Sequence, residues 1–291
     1  MQKHPKLSYA AFALLCLIWG STWLVIKVGY GGLGPFNVAA LRFLVAGLLM
    51  SGLAPAMGAK WPKGREQWRL TVWVGVLLFG ADYGLIYFAE QKLDSGITAL
   101  LFAVLPIITA LAAHVYLPGE RLTARKLAGT LLAFVGVGAL FADNLHVDAT
   151  KVWSMVAVVV GTACAALTSV ATKRHGQSLH PAALNAPAML VGAGLLALTS
   201  LIEGDGFHAP ANIETWGAIL YLAVVGSVIA FLLYFWLLKL WRATSLSFIS
   251  VFNPITAMIL GTVVLHERLT IWTAVGAAIV LAGVILAQTR P

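Results

Sequence analysis

The sequence predicts an all-helical protein that crosses a membrane about ten times, at ~20 residues per crossing. Three observations carry this. Apolar residues make up 60% of the 291 positions and charged residues 10%, against roughly 25% charged in soluble domains, so there are too few charges to cover a water-facing surface. The apolar residues fall into long continuous runs. Such runs are helices rather than the ten-residue alternating segments of a barrel, and a helix satisfies its own backbone in lipid. Finally, the charges gather in the short gaps between runs.

The first run, Leu7–Val28, follows Lys3 and Lys6. A basic start before apolar residues resembles a signal peptide. The run continues through Trp19, Trp23 and Val28 without a small-residue cleavage pattern, so a retained helix that also directs insertion is expected. Phe36–Met57, Trp68–Ala89, Ser95–Leu117 and Ala124–Ala142 complete a first set of five spans. Val152–Thr172, Pro181–Ile202, Thr215–Leu237, Thr244–Leu265 and Ile271–Gln288 form a second five. No room remains for a separate soluble domain.

The connections alternate in charge. One set holds Lys60, Lys63, Arg65 and Arg69, then Arg121, Arg125 and Lys126, then Lys173 and Arg174, then Lys239 and Arg242, with Lys3, Lys6 and Arg290 on the same side. The opposite set holds Glu90, Asp94, Asp143, Asp148, Glu203, Asp205, Glu214 and Glu267 with few basic residues. The positive-inside rule places both termini in the cytoplasm of a bacterial-type inner membrane. The net charge of +8 is therefore topology and not a nucleic-acid footprint, and no basic stripe with interleaved aromatics is present. Cys16 and Cys164 lie in apolar runs, where a lone cysteine acts as a small hydrophobe. No zinc spacing occurs, and no cofactor is expected.

The two halves repeat. Lys27 and Pro35 recur as Lys173 and Pro181, Tyr87-Phe88 and Lys92-Leu93 as Tyr234-Phe235 and Lys239-Leu240, and Pro106-Ile107 as Pro254-Ile255. Glu120-Arg121-Leu122-Thr123 recurs as Glu267-Arg268-Leu269-Thr270, and Gly129 and Gly136 as Gly276 and Gly283. The organisation expected is one five-helix unit over residues 1–147 and a second over 148–291. Five is odd, so the second unit sits upside down. Two copies of one pattern in opposite orientations can build a gate on each membrane face, and exchanging their conformations gives alternating access around a central cavity. This points to a transporter of small molecules, complete as a monomer because both halves share one chain.

At this point the residues resemble a known family. Trp19-Gly20-Ser21-Thr22-Trp23 with Lys27, Pro35 with Arg42, Pro106 followed by Gly119-Glu120-Arg121-Leu122, and Pro254 followed by His266-Glu267-Arg268-Leu269 are similar to EamA-type members of the drug/metabolite transporter superfamily. The resemblance covers nearly the whole chain. It implies ten helices in two inverted five-helix units around a cavity, and export of amino acids, most like the aromatic and neutral amino-acid exporters, or of related metabolites. Other members carry nucleobases, sugars, polyamines or drugs. Two departures stand out: the first span has no acidic residue, unlike small four-helix multidrug members, and Ala165-Ala166-Leu167-Thr168-Ser169 replaces the Trp-Gly-Ser-Thr-Trp pattern in the second half.

Arg42 and Asp82 are the clearest charges within spans. Counting 1.5 Å per residue puts both ~10 Å below the outer face, so an ion pair is expected, either working in transport or fastening two helices. Tyr87 and Tyr234 are repeat mates near opposite faces, as gates or as interfacial anchors. Trp19, Gly20, Ser21, Trp23, Tyr83 and Phe102 suit an aromatic pocket for an amphiphilic ligand; lipid-facing rings and tight helix contacts are the plainer reading. Pro106, Pro187 and Pro254 break backbone hydrogen bonds inside spans, with Asn253 adding a polar group. They are hinges at the cavity or benign kinks. Lys27, His114 and Lys173 sit near span ends, where long basic chains snorkel, and Thr123 and Thr270 are expected helix caps.

Other classes fit less well. GxxxxGK[ST] is absent, so ATP-driven transport by this chain is not expected. An intramembrane enzyme would need an HExxH pair or a catalytic constellation, and a channel a ring of pore charges or a filter loop. None is visible. A drug or lipid-linked carrier on the same fold stays open.

Overall fold

The computed structural model describes residues 5–120, 123–145, 149–266 and 270–288. These form ten helical rods: α1 (Pro5–Val28), α2 (Pro35–Ala56), α3 (Gly64–Glu90), α4 (Ser95–Tyr116), α5 (Ala124–Leu145), α6 (Ala149–His175), α7 (Pro181–Ile202), α8 (Ile213–Leu240), α9 (Ala243–Val264) and α10 (Ile271–Gln288). Among the described residues, eight rods are long and apolar enough to cross a membrane, and α10 adds a shorter apolar stretch, Ile271–Gly283. Each rod overlaps the expected span, and the largest extensions, at the start of α3, both ends of α6 and the far ends of α5 and α8, take in polar residues that a hydropathy reading trims.

Local chemistry sets the ends. Pro35 and Pro181 open α2 and α7, where the missing N–H is needed least. The Asn212 side chain accepts from Thr215 N at 2.8 Å to cap α8. Thr270 Oγ1 accepts from Thr273 N at 3.0 Å to cap α10, as expected. Arg121, Leu122 and Glu267–Leu269 lie outside the described residues.

Four rods are irregular. α3 and α8 each contain a π-helical stretch, Gly75–Asp82 and Val224–Ile229, in corresponding places of the two halves. The wider turn leaves backbone carbonyls for side chains to bond. α4 is interrupted at Ala103–Val104, and Pro106 sits in the first turn of the segment that resumes at Leu105. In α9 the interruption falls at Ser247–Phe248, and Pro254 lies inside the continuous helix Ile249–Val264. The two prolines match in sequence, but only Pro106 adjoins a break.

Packing follows the repeat. α2 lies against its mate α7, and α5 against its mate α10; α1 packs on α8 and α9 as α6 packs on α3 and α4. The glycines repeated in sequence form the α5–α10 seam. A Cβ on Gly136 would stand 3.0 Å from the Gly276 carbonyl, and one on Gly283 would stand 2.6 Å from the Gly129 carbonyl, so both rods need glycine to approach this closely. The chain is thus a ten-helix membrane fold of two repeats, with a cavity between α1, α3, α4, α6, α8 and α9.

Candidate functional site

Helical spacing brings the lining together. On α1, Trp19, Thr22, Trp23 and Ile26 share one face, and on α3 Leu78, Asp82, Tyr83 and Ile86 do the same. Phe102 and Leu105 come from the interrupted part of α4, Ala165 and Ser169 from α6, Phe231 and Tyr234 from α8, and Asn253 from α9. Of the residues expected from sequence, Trp19, Trp23, Asp82, Tyr83, Phe102, Tyr234 and Asn253 meet at this cavity. Ser21, Arg42, Tyr87, Pro106 and Pro254 do not line it.

The walls are aromatic. Trp19 packs at 5.3 Å from Phe231 and 5.2 Å from Tyr234, and Trp23 at 5.6 Å from Phe102, with Phe79 behind the lining at 4.9 Å from Phe231. Tilted and edge-on contacts at these separations are favourable for ring quadrupoles. The remaining space admits the centres of water-sized molecules over about 60 Å³, room for a few waters or an ammonium-sized head.

Polar groups inside these walls fall into two kinds. Ser169 Oγ and the Tyr234 hydroxyl bond each other at 2.7 Å, and Thr22 Oγ1 donates to the Trp19 carbonyl at 2.8 Å. Trp23 Nε1, Asp82 Oδ1 and Asn253 Oδ1, by contrast, are buried without a hydrogen-bond partner. The Asp82 carboxylate fits because residue 161 on α6 is glycine: a Cβ there would stand 3.0 Å from Asp82 Oδ1.

The expected Arg42–Asp82 ion pair is not formed. Arg42 is fully buried and turns toward α8. Its Nε donates to Ser227 Oγ at 2.9 Å, its Nη1 to the Tyr87 hydroxyl at 3.2 Å, and its Nη2 to the Gly226 carbonyl at 3.1 Å. Its guanidinium also stacks on Tyr83, 4.7 Å from the ring centre. The physical reason is the π-helical stretch of α8, which presents Gly226 O and Ser227 to a planar fork that a lone carboxylate would satisfy less fully. Counting residues from a span end gives depth, and depth does not fix azimuth.

Tyr87 is buried between α2 and α1, bonded to Arg42, and its carbonyl accepts from the Tyr30 hydroxyl at 2.7 Å. Burial and then the nearby Glu90 and Tyr87 push the Tyr30 phenol up from its usual range, so it stays a neutral donor. Tyr87 and Tyr234 are both buried, which removes lipid-facing anchoring as their role. Ser21 bonds the Tyr221 hydroxyl at 2.7 Å and so ties α1 to α8. Gly20 faces Thr256 of α9, 2.8 Å from where its Cβ would stand.

The basic repeat mates both reach partners at span ends. Lys27 Nζ lies 3.8 Å from Asp94, and Lys173 Nζ donates to the carbonyls of Leu238 and Lys239 at 2.8 and 3.2 Å. The uncapped carbonyls at the end of α8 attract a cation more directly than bulk water does. A site that sequence reasoning placed only in its own turn is Glu120. Its carboxylate reaches across to the start of α9, accepting from Ala243 N, Thr244 N and Thr244 Oγ1, the last at 2.6 Å. His180 caps α7, its Nδ1 accepting from Ala182 N at 3.2 Å.

A polytopic bundle of two repeats closing on a small aromatic cavity is the architecture of a membrane transporter. The chain belongs to the EamA-like transporter family, whose model matches residues 6–142 and 152–289. It is 29% identical to the uncharacterized inner membrane transporter YedA of Escherichia coli, over 92% of this chain and 87% of that one. It is 25% identical to the uncharacterized transporter YoaV of Bacillus subtilis, over 93% and 92%. It is 27% identical to a probable terminal-alkyne amino-acid exporter of Streptantibioticus cattleyicolor, over 98% and 95%. A crystal structure with a TM-score of 0.73 and 22% identity covers 97% of this chain and 96% of its own, which supports the fold.

Proposed function

We propose that the chain is a secondary transporter that exports neutral and aromatic amino acids or similar small metabolites from the cytoplasm by alternating access, working as a monomer in a bacterial inner membrane with both termini inside. The observation that carries this is the cavity between the halves, ringed by Trp19, Trp23, Tyr83, Phe102, Phe231 and Tyr234, whose rings would contact the aromatic or apolar body of a ligand once the halves part to admit it. Residues 1–147 and 148–291 act as the two moving units. Tyr87 and Tyr234, repeat mates that the inverted topology sets toward opposite membrane faces, close the path on their own sides, Tyr87 through Arg42 and Tyr234 through Ser169. Pro106, beside the break in α4, and Pro254 in α9 supply the bends. The amino-acid exporter among the relatives and the alternation of loop charge support the substrate class and the orientation.

The test is uptake of labelled phenylalanine and threonine into proteoliposomes, with and without a proton gradient. Saturable uptake that unlabelled amino acids compete away is the expected result. If folded protein carries no amino acid, the substrate is instead a drug or a lipid-linked molecule on the same fold.

A further inference from the structure

We propose that Asp82 is the counter-charge for an ammonium group on the transported molecule, so that the cavity selects organic amines over acids and prefers a net cation to a zwitterion. This rests on the reading of the cavity as the substrate site and names the chemistry it recognises.

Three observations combine. Asp82 is 2% exposed, lines the cavity, and its Oδ1 has no hydrogen-bond partner. A buried carboxylate without a partner is disfavoured in the absence of a ligand, whereas a bound ammonium would supply both charge and donors. Next, the described lining holds this one carboxylate and no Lys, Arg or His. The neighbouring cation, Arg42, directs its donors to Ser227, Tyr87 and Gly226, so among the described residues no lining cation faces a ligand carboxylate. The unpaired Trp23 Nε1–H is a neutral donor and Asn253 Oδ1 a further acceptor. Finally, the lining is rich in aromatic rings, whose faces attract cations through their quadrupoles. Carboxylate, amide oxygen and aromatic walls all favour positive charge.

Gly161 extends the same design. It leaves the space that the carboxylate occupies, and an alanine there would place its methyl group 3.0 Å from Asp82 Oδ1.

The experiment measures dissociation constants of the full-length purified protein at pH 7.5 for four probes of one shape: 2-phenylethylamine, phenylalaninol, phenylalanine and 3-phenylpropanoate. The two cations are expected to bind roughly tenfold or more tightly than the acid, with the zwitterion between them. Asp82→Asn is expected to erase this order, and Gly161→Ala to weaken amine binding without changing that of the acid. The idea is overturned if the acid or the zwitterion binds as tightly as 2-phenylethylamine, if no probe binds at millimolar concentration, or if Asp82→Asn keeps the order. The ligand series on the unmodified protein decides the matter even if the variants fail to fold. Transport separates the two readings: phenylalanine carried equally by wild type and Asp82→Asn would retain the amino-acid exporter and remove the ammonium site. Amines bound through Asp82 with no amino acid transported would do the reverse.

Discussion

Arg42 offers the sharpest test of how the bundle is held together. Replacing it with methionine keeps most of the volume and deletes three hydrogen bonds, to Ser227 Oγ, the Tyr87 hydroxyl and the Gly226 carbonyl. Polar contacts between membrane helices average ~0.6 kcal/mol each and reach ~1.7. Three of them sum to roughly 2–5 kcal/mol, and relief from burying a charge offsets part of this. A net loss of ~2 kcal/mol lowers the unfolding temperature by roughly 4–8 °C. The assay is thermal unfolding of the purified protein in detergent, carried through two double-mutant cycles. Arg42→Met with Ser227→Ala is expected to couple by ~1 kcal/mol, because the two side chains bond directly. Arg42→Met with Asp82→Asn is expected to add within ~0.5 kcal/mol, as unpaired sites do. Coupling above ~1 kcal/mol between Arg42 and Asp82 would falsify the arrangement and restore an ion pair across α2 and α3.

Other consequences follow from single contacts. Gly283→Ala sets a methyl 2.5 Å from the Ala133 backbone nitrogen, a rigid neighbour, and costs roughly 1–3 kcal/mol. Gly52→Ala meets nothing within 4 Å and stabilises by ~0.5 kcal/mol; the two melting temperatures move in opposite directions. Glu120→Ala leaves the buried donors at the start of α9 without their acceptor and lowers stability by ~2 kcal/mol, read from the same unfolding curves. His180 sets a pH dependence. Burial and then the charge of Lys239 hold its imidazole below the usual histidine range, so the folded state favours the neutral ring whose Nδ1 caps α7. That contribution is complete above about pH 6.5 and is lost as pH falls through the lower folded value. Melting temperature should be flat above neutrality and decline below it, and His180→Asn, which keeps a capping oxygen, should lessen the decline.

The spans and the repeat were legible because both are carried by one-dimensional signals. Apolar length gives a crossing, and ordered matches such as Gly129/Gly136 with Gly276/Gly283 give the pairing of α5 with α10. Much of the cavity was legible too, since Trp19, Trp23, Asp82, Tyr83 and Phe102 are conspicuous in apolar runs. The π-helical stretches of α3 and α8 were not. A widened turn shifts every later side chain around the helix axis, and its only trace was glycine within the runs, at Gly75, Gly80 and Gly226. That rotation explains why Arg42 finds Gly226 and Ser227 rather than Asp82. Phe231, Ile26, Leu105 and Ser169 were also missed, being ordinary residues for a span until neighbouring rods place them on the cavity. Glu120 was legible as part of a repeated motif, but its partner on α9 lies 123 residues away in sequence, beyond any local pattern.

The two halves share a frame and differ in what they carry. Both π-helical stretches end at matching positions, yet one ends at Asp82 and the other at Ile229. By the offset of Pro35 and Pro181, Arg42 on α2 corresponds to Ala188 on α7. The tyrosines are kept, Tyr87 and Tyr234, but one bonds a guanidinium and the other a serine. A symmetric frame can exchange conformations between its halves at little net cost in free energy, because each half adopts the shape the other leaves. Its binding chemistry need not be symmetric, and a single carboxylate reached from either face is sufficient to hold one charged group throughout the exchange. Under the proposed gating, the same asymmetry predicts that the two gates differ in strength. The Tyr87 side is held by a charged donor, and charged hydrogen bonds exceed neutral ones, so Tyr87→Phe should raise leak of a bound probe more than Tyr234→Phe does in efflux from preloaded vesicles. Equal effects, or a larger one at Tyr234, would mean that closure depends on the surrounding aromatic packing rather than on these hydroxyls.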